Sequence, residues 1–366
     1  MEVQEYFVQR KNIHNAILSF IDSVQNNDDN FQFFVNIFER QKIGDNGNEL
    51  EKLICLILNI CKNHHRQPNF YNKIDQFFIS LKGSMKQTLS NSQIFNACKG
   101  NKRILLFLIK NQMITLNKFI INYLLKSDNC HFFSTEIIPM IDDEQKEKIE
   151  HELSLLDPQI LEHFEEKRFK GENDSYICEL IQKDSIEDFV TYVNQTNLSL
   201  FKEIESSIYE TNSFLINKSP TLIEYSAFFG SIQIIQFLRF NNIEFTPSLW
   251  LYAIHSNNAE LIHLLEENKI HPEDETYYEC FVESIKCHHN EIANYILNNY
   301  CQNIDVKRIY ELCFRYVNYA FIPEDFNVLY VFHFSCKYNF CKLVDLLLKN
   351  DSFDINEKII PHQKKI

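Results

Sequence analysis

Glycine and proline are scarce, six and eight in 366 residues. β-Sandwiches and barrels use such residues in their many tight turns, so an all-β fold has little to be built from. Neither G-x-G-x-x-G nor G-x-x-x-x-G-K-[ST] occurs, which removes both common phosphate cradles. G-x-S-x-G, H-E-x-x-H and the kinase set of glycine-rich loop, catalytic-loop Asp and D-F-G are missing as well. No apolar run approaches the ~20 residues of a membrane-spanning helix; the longest are Leu53–Ile60, Ile104–Ile109 and Phe119–Leu125. The opening MEVQEYFVQRK has no basic segment leading into an apolar one, so no secretory signal is expected. No basic cluster is present and the formal net charge is −14. Nucleic acid and anionic membrane are therefore not the expected partners, since phosphate neutralisation needs a cationic patch.

What remains is helix-forming. Hydrophobic residues make up 45% and charged residues 23%, enough apolar mass for a sizeable core. The excess of 32 Phe and 17 Tyr, alongside much Asn, Ile and Lys, reads as an AT-rich coding bias rather than a stacking surface. The eleven cysteines are irregularly spaced and odd in number. Cys55, Cys98, Cys178, Cys280, Cys313 and Cys336 sit in apolar runs, as reduced, buried thiols of a cytoplasmic protein do. The nucleus is left open as a second location.

An internal repeat is present. SPTLIEYSA (219–227) and TPSLWLYAI (246–254) share [ST]-P-[ST]-L-x-x-Y-[SA] at an offset of 27. Downstream, Ile234, Ile235, Phe237 and Leu238 map onto Leu261, Ile262, Leu264 and Leu265, Asn241 onto Asn268, and Ile243 onto Ile270. Each unit reads as a helix, a tight turn and a second helix. Ser219 or Thr246 is expected to cap the first helix, with proline at its first position. Phe229-Gly230-Ser231 or Ser256-Asn257-Asn258 makes the turn, where Gly and Asn tolerate positive φ. The second helix has apolar residues at i, i+1, i+3 and i+4. Trp250 aligns with Ile223 and is expected in the core.

TLIEYSAFFGSIQIIQFL (221–238) resembles the ankyrin repeat in the order and spacing of its signature, with Gly230 at the expected glycine. Weaker copies are FVESIKCHHNEIANYIL (281–297) and FHFSCKYNFCKLVDLLLKNDSFDIN (332–356), the latter ending in Asp354-Ile355-Asn356. IFNACKGNKRILLFLIKNQMI (94–114) and residues 175–193 are further candidate pairs. The His of T-P-L-H is Glu224, Leu251, Val282 and His333 in the four units, and the spacings are 27, 31 and about 51 residues against ~33 in ankyrin repeats. An irregular insertion or worn unit near 303–328 accounts for the last. The chain is also similar to proteins in which ankyrin repeats follow a helical region of unknown function, abundant in expanded protist families; residues 171–200 lead into the repeats in that way.

The fold expected is all-α: an ankyrin-type helical repeat solenoid preceded by an α-helical region readable as degenerate repeats. Residues 1–170 form that region, with apolar faces at Phe31–Phe38, Leu50–Cys61, Ile74–Leu81, Ile104–Ile109 and Phe119–Leu125. Asp45–Asn48, Arg66-Gln-Pro and Asp128-Asn are the expected loops, and Asp142–Glu152 a solvated helix start. Residues 171–215 lead into about four repeat units at 216–360. The ending EKIIPHQKKI supplies no further capping helix; either the last pair caps itself or the chain is a shortened family member.

Candidate chemistry is thin. Cys61-Lys-Asn-His64-His65 and Cys280 with Cys287-His288-His289 lack the paired ligand elements of a zinc site, and read as buried thiols beside surface histidines. Glu266-Glu267, Asp142-Asp143 and Glu165-Glu166 read as solvated helix faces. No metal, cofactor or catalytic group is expected. The resemblance implies a concave binding face formed by loop tips and the ends of first helices: Phe228, Phe229, His255, Ser256, Lys286, Cys287, Lys337 and Tyr338. Phe228-Phe229 either anchors a partner or packs under the neighbouring loop. The function implied is a monomeric, non-catalytic scaffold for protein partners; the alternative is a regulatory or enzymatic activity in the N-terminal helices, which would show as a polar, convergent pocket there.

Overall fold

A computed structural model describes residues 2–23, 28–67, 69–126, 130–156, 158–216 and 218–349. The segments Asp128-Asn129 and Asp354-Ile355-Asn356 lie outside the described residues, as do Pro68 and the ending. The fold is all-α. In chain order the helices are α1 (Glu2–Asp22), α2 (Asp28–Arg40), α3 (Gly47–Asn63), α4 (Phe70–Thr88), α5 (Asn91–Cys98), α6 (Lys102–Lys110) and α7 (Lys118–Lys126). Then come α8 (Ser134–Ile137), α9 (Asp143–Ser154), α10 (Pro158–Leu161), α11 (Phe164–Lys170), α12 (Tyr176–Gln182), α13 (Ile186–Thr196), α14 (Leu222–Phe229) and α15 (Ile232–Phe240). The remainder are α16 (Leu249–Ser256), α17 (Ala259–Glu267), α18 (Tyr278–Lys286), α19 (Asn290–Asn299), α20 (Val306–Tyr316), α21 (Val328–Lys337) and α22 (Cys341–Leu348). The five apolar faces read in residues 1–170 fall in α2, α3, α4, α6 and α7. Among the described residues the one β-type pairing is an isolated antiparallel bridge, Glu203 to Thr221.

The chain divides into two compact units, Cys61–Glu273 and Met1–Ile60 with the residues from Asp274 on. The region boundaries expected after residues 170 and 215 both lie inside the first.

In the unit 61–273 the pairs α12/α13, α14/α15 and α16/α17 pack in series. First helix lies on first helix, α12 on α14 and α14 on α16, and α13 on α15. One turn geometry recurs. Asp184, Gly230 and Asn257 take φ 48, 69 and 53 at the elbow between helices. Ser185 N donates to Leu180 O (3.0 Å) and Ser231 N to Ser226 O (2.9 Å), closing the helix end over the left-handed residue. Neighbouring elbows are tied together: Asp184 Oδ1 accepts from Ile234 N (3.1 Å), Ser231 Oγ donates to Ile181 O (2.5 Å), and Asn258 Nδ2 donates to Gly230 O (3.5 Å). The second helices also end alike. Asn111, Asn241 and Asn268 each donate Nδ2 to the carbonyl four residues back, at 2.9, 2.8 and 2.7 Å. The residues after them, Gln112, Asn242 and Lys269, are left-handed.

Two local expectations are corrected. The cap of α14 is Thr221, not Ser219: its Oγ1 accepts from Glu224 N (3.4 Å) while Glu224 Oε2 accepts from Thr221 N (2.8 Å). This reciprocal capping box needs a Glu three residues on, which Thr221 has and Ser219 lacks. In the second unit of the repeat the chain enters from Thr246 through a tighter turn, with Leu249 N on Thr246 O (3.1 Å) and α16 beginning at Leu249. The stripe on the second helices is narrower than i, i+1, i+3, i+4. Leu261, Ile262 and Leu265 are buried but Leu264 is half-buried, and Ile234, Ile235 and Leu238 flank a half-buried Phe237. The i+3 residue sits at the stripe's edge. Trp250 is fully buried and donates Nε1 to Ile270 O at 2.8 Å.

In the other unit α18 pairs with α19 and α21 with α22. Between them α20 packs on α18 and α21, and is followed by a single 3-10 turn at Tyr319–Phe321; this is the content of the irregular stretch 303–328. The elbows repeat the geometry at His288, Val317 and Asn339, φ 60, 57 and 60. Ser284 and Ser335, both fully buried, occupy the position of Ser226, and each donates Oγ to the carbonyl four residues back. A small residue there lets helices approach closely. α1 packs on α2, on the 3-10 turn and on α22. Its Arg10 forms a buried ion pair with Glu49 and donates Nη1 to Gln41 Oε1 at 2.7 Å, so a charge that could not be buried alone is matched. α3 reaches the elbow carbonyls: Asn59 Nδ2 to Tyr316 O (3.0 Å), Lys52 Nζ to Tyr338 O (2.7 Å) and Asn48 Nδ2 to Asn339 O (3.0 Å).

None of the eleven cysteines is in a disulfide. Cys98, Cys178, Cys280 and Cys313 are buried, but Cys55 is half-buried and Cys336 exposed. Cys336 lies outside the buried stripe Tyr330, Val331, Phe334 and Ser335 of α21. No helix among the described residues is long and apolar enough to cross a membrane.

Candidate functional site

Of the residues expected to receive a partner, Phe228, His255 and Cys287 are buried, Lys337 is exposed and the other four are half-buried. In the unit 61–273 the long segment between α13 and α14 returns across the ends of the first helices. Its Phe214 stacks on Phe228 (centroids 6.0 Å, 11°) and packs on Tyr252 (4.9 Å) and His255 (4.1 Å). Phe228 and His255 are accordingly buried, and His255 Nδ1 meets Asn63 O at 3.2 Å. Ser256 is half-buried, its Oγ bonded to Ala253 O (2.8 Å). In the other unit Cys287 is fully buried, Lys286 is half-buried and paired with Glu283 (2.7 Å), Lys337 is exposed and paired with Glu311 (2.6 Å), and Tyr338 is half-buried with its carbonyl held by Lys52.

Phe229 differs. It is half-buried and lines a groove of about 550 Å³ whose other walls come from the α3–α4 connection, α4, α6, the end of α11 and α12. Arg66 is the centre of this groove. Its guanidinium lies over Phe70 (4.5 Å) and Tyr71 (5.0 Å), with Nη1 donating to Cys61 O (2.8 Å) and Nη2 to Tyr71 Oη (3.2 Å). Arg103 is paired with Asp75, Nη2 to Oδ2 at 2.8 Å, and donates Nε to Phe169 O (3.0 Å). Tyr71 Oη also meets Thr211 Oγ1 at 2.6 Å. Lys170 and Lys183 add positive charge, and Glu172 negative charge. Burial raises the Glu172 carboxyl above its ordinary range and Arg66 opposes that rise. The groove thus combines aromatic rings with fixed guanidinium groups, the residue types that dominate protein-binding hot spots.

A second, more polar cleft of about 460 Å³ lies beside the segment 204–220. Glu210 Oε1 accepts from Thr211 N (2.8 Å) and Asn212 N (2.7 Å), while its Oε2 accepts no hydrogen bond from the described residues. Burial raises the Glu210 carboxyl. Lys102 donates Nζ to Ile208 O (2.6 Å), and burial pushes its ammonium down to about 8, against the pull of Glu210. Lys126, Asn173, Lys218 and Tyr225 complete the polar wall. Sequence reading passed over Arg66, Lys102 and Glu210. Arg66 stands in an expected loop, Lys102 opens the helix of the apolar run Ile104–Ile109, and Glu210 lies in a polar stretch; only the tertiary fold brings each to a cleft.

The histidine clusters are not surface groups. His64 and His65 are 2% and 7% exposed, and His288 and His289 are 2% and 3%. α3 ends at Asn63, so Cys61 and His65 do not share a helix face. His288 Nδ1 instead bonds His14 Nε2 (3.0 Å), whose Nδ1 accepts from Ala320 N (3.2 Å).

No family model, no curated protein and no solved structure matches this chain.

Proposed function

We propose that the chain is a non-catalytic, ankyrin-type scaffold that binds a protein segment at the Phe229 groove. The observation that supports this is the groove itself: a half-exposed aromatic at the end of a first helix, facing Arg66 stacked on Phe70 and Tyr71. The recurring elbow and exit geometry supports the repeat reading. With Arg103 matched by Asp75 and Lys183 by Glu179 (2.7 Å), Arg66 and Lys170 still outnumber Glu172, so the segment that fits is acidic with an apolar anchor. The second reading, an activity seated in the N-terminal helices, draws on the polar cleft to which Lys102, Lys126 and His131 contribute beside Glu210 and the segment 204–220. Affinity capture from native lysate would compare the full chain with Phe229→Ala/Lys183→Glu and with Glu210→Gln. Loss of the same proteins with the first variant alone supports the groove. Capture unaffected by it and lost with Glu210→Gln would replace the first reading by the second.

A further inference from the structure

The turn that follows α7 carries Cys130-His131-Phe132-Phe133, and α9 ends beside it. Cys130 Sγ, one ring nitrogen of His131 and a carboxylate oxygen of Glu152 all lie within 4.8 Å of one another. His131 Nε2 and Glu152 Oε2 are already 2.9 Å apart. We propose that these three side chains form a zinc site with three protein ligands and a fourth position left to water or an incoming ligand.

The donor set is the first argument. Thiolate, imidazole and carboxylate together suit zinc, and three such ligands with one open position is the arrangement of reactive rather than purely structural zinc sites. Zinc–ligand bonds of ~2.0–2.3 Å in a tetrahedron put donors on the order of 3.5 Å apart. Side-chain rotations of about an ångström bring the observed cluster to that size.

The second argument is the way the turn is held. Phe132 and Phe133 are 1% and 0% exposed and pin the backbone into the core. Arg168, fully buried, donates Nη1 to Phe132 O and to Glu136 Oε2, both at 2.7 Å. Ser134 N closes the turn on His131 O (3.3 Å). Glu152 is placed by α9, whose N-terminus is fixed by Asp142 accepting from Gln145 N (2.9 Å). The turn and α9 thus present the ligands, and all three are half-buried. His131 also lines the polar cleft, so the site stands at its rim. On binding, the Cys130 thiol gives its proton to solvent and the sulfur lone pair to the metal, so affinity rises with pH.

The test is titration of metal-free, reduced full-length chain with cobalt(II), followed by displacement with zinc. The expected result is one equivalent giving a near-ultraviolet thiolate-to-cobalt band, which zinc abolishes. The band is unchanged in Cys336→Ser/Cys341→Ser, which removes the two exposed thiols. It is lost in Cys130→Ser. Glu152→Gln keeps a hydrogen-bonding side chain beside His131 and is expected to weaken cobalt binding by at least about tenfold, the usual scale for disturbing a metal site. No thiolate band, or a band that survives Cys130→Ser, overturns the proposal.

Discussion

Replacing Gly230 by valine tests the elbow on which the helix pairs depend. Gly230 has φ +69, and a Cβ built there meets Asn258 Nδ2 and Ser256 Cβ, each at 3.3 Å. An L-residue in this backbone region costs about 1–2 kcal/mol, and crowding a packed site adds about 1–3 kcal/mol. Reduced freedom of the unfolded chain returns about 0.4–1 kcal/mol. The net expectation is a loss of about 1–4.5 kcal/mol. Val317 shows that valine can occupy this position: it has φ 57 and is 5% exposed, so its own burial offsets the strain. At Gly230 the space is already taken by the neighbouring elbow. The chain has one tryptophan, Trp250, which lies buried in the next first helix of the same unit. Its fluorescence during urea unfolding therefore reports on that unit. Gly83→Ala is the matched control. Gly83 lies inside α4 of the same unit, and a Cβ there meets nothing within 4 Å. Removing a helix-interior glycine stabilises by about 0.5–1 kcal/mol. A Gly230→Val midpoint equal to that of the unchanged chain, or a destabilising Gly83→Ala, would refute the reasoning.

Other outcomes follow from burial and charge. Leu265→Ala is expected to cost about 2–5 kcal/mol, as full truncations of buried Leu do. Leu264→Ala, at the half-buried edge of the same helix, costs less than half of that; the two unfolding midpoints in urea give the comparison. Lys102 contributes a pH dependence of definite sign. Its ammonium is pushed down to about 8 from 10.5, so the unfolded chain binds the proton more tightly than the folded one. Stability is lowered in full below pH 8 and recovers as pH rises from about 8 to 10.5. The stability difference between the unchanged chain and Lys102→Met, measured by urea unfolding at pH 7 and again at pH 10, is expected to move in favour of lysine at the higher pH. A pH-independent difference would show that Lys102 is not held in that way.

Helices carried most of their own signal. Apolar stripes at 3.6-residue spacing marked α2, α3, α4, α6 and α7, and the offset of 27 between 219–227 and 246–254 marked the pairs around α14 and α16. The elbows were legible because Gly230 and Asn257 are residues that accept positive φ. The segment 198–220 was not. Glu210, Thr211 and Asn212 read as solvated polar residues, yet they are 6%, 3% and 1% exposed. What buries them is distant in sequence: Thr211 Oγ1 bonds Gly171 O (2.6 Å) and Tyr71. Phe228 had two readings, and choosing between them needed Phe214, which carries no period of its own. The candidate groove was legible only at Phe229, because Arg66, Tyr71 and Arg103 reach it from separate elements. The division at residues 60 and 273 was hidden for a related reason. It passes through the apolar run of α3, where nothing in composition changes.

The hydrogen bonds from α3 to the elbows of α20 and α21 bear on how the chain reaches this fold. An open repeat array gains stability from neighbours in sequence, so folding can begin anywhere and spread. Here Asn48 meets Asn339 across 291 residues, and Lys52 meets Tyr338 across 286. Closing such a loop costs chain entropy before any contact is made, and non-local contacts of this kind slow folding. During synthesis the bonds from α3 to Tyr316, Tyr338 and Asn339 can form only after the last helices emerge, whereas residues 61–273 form one uninterrupted stretch.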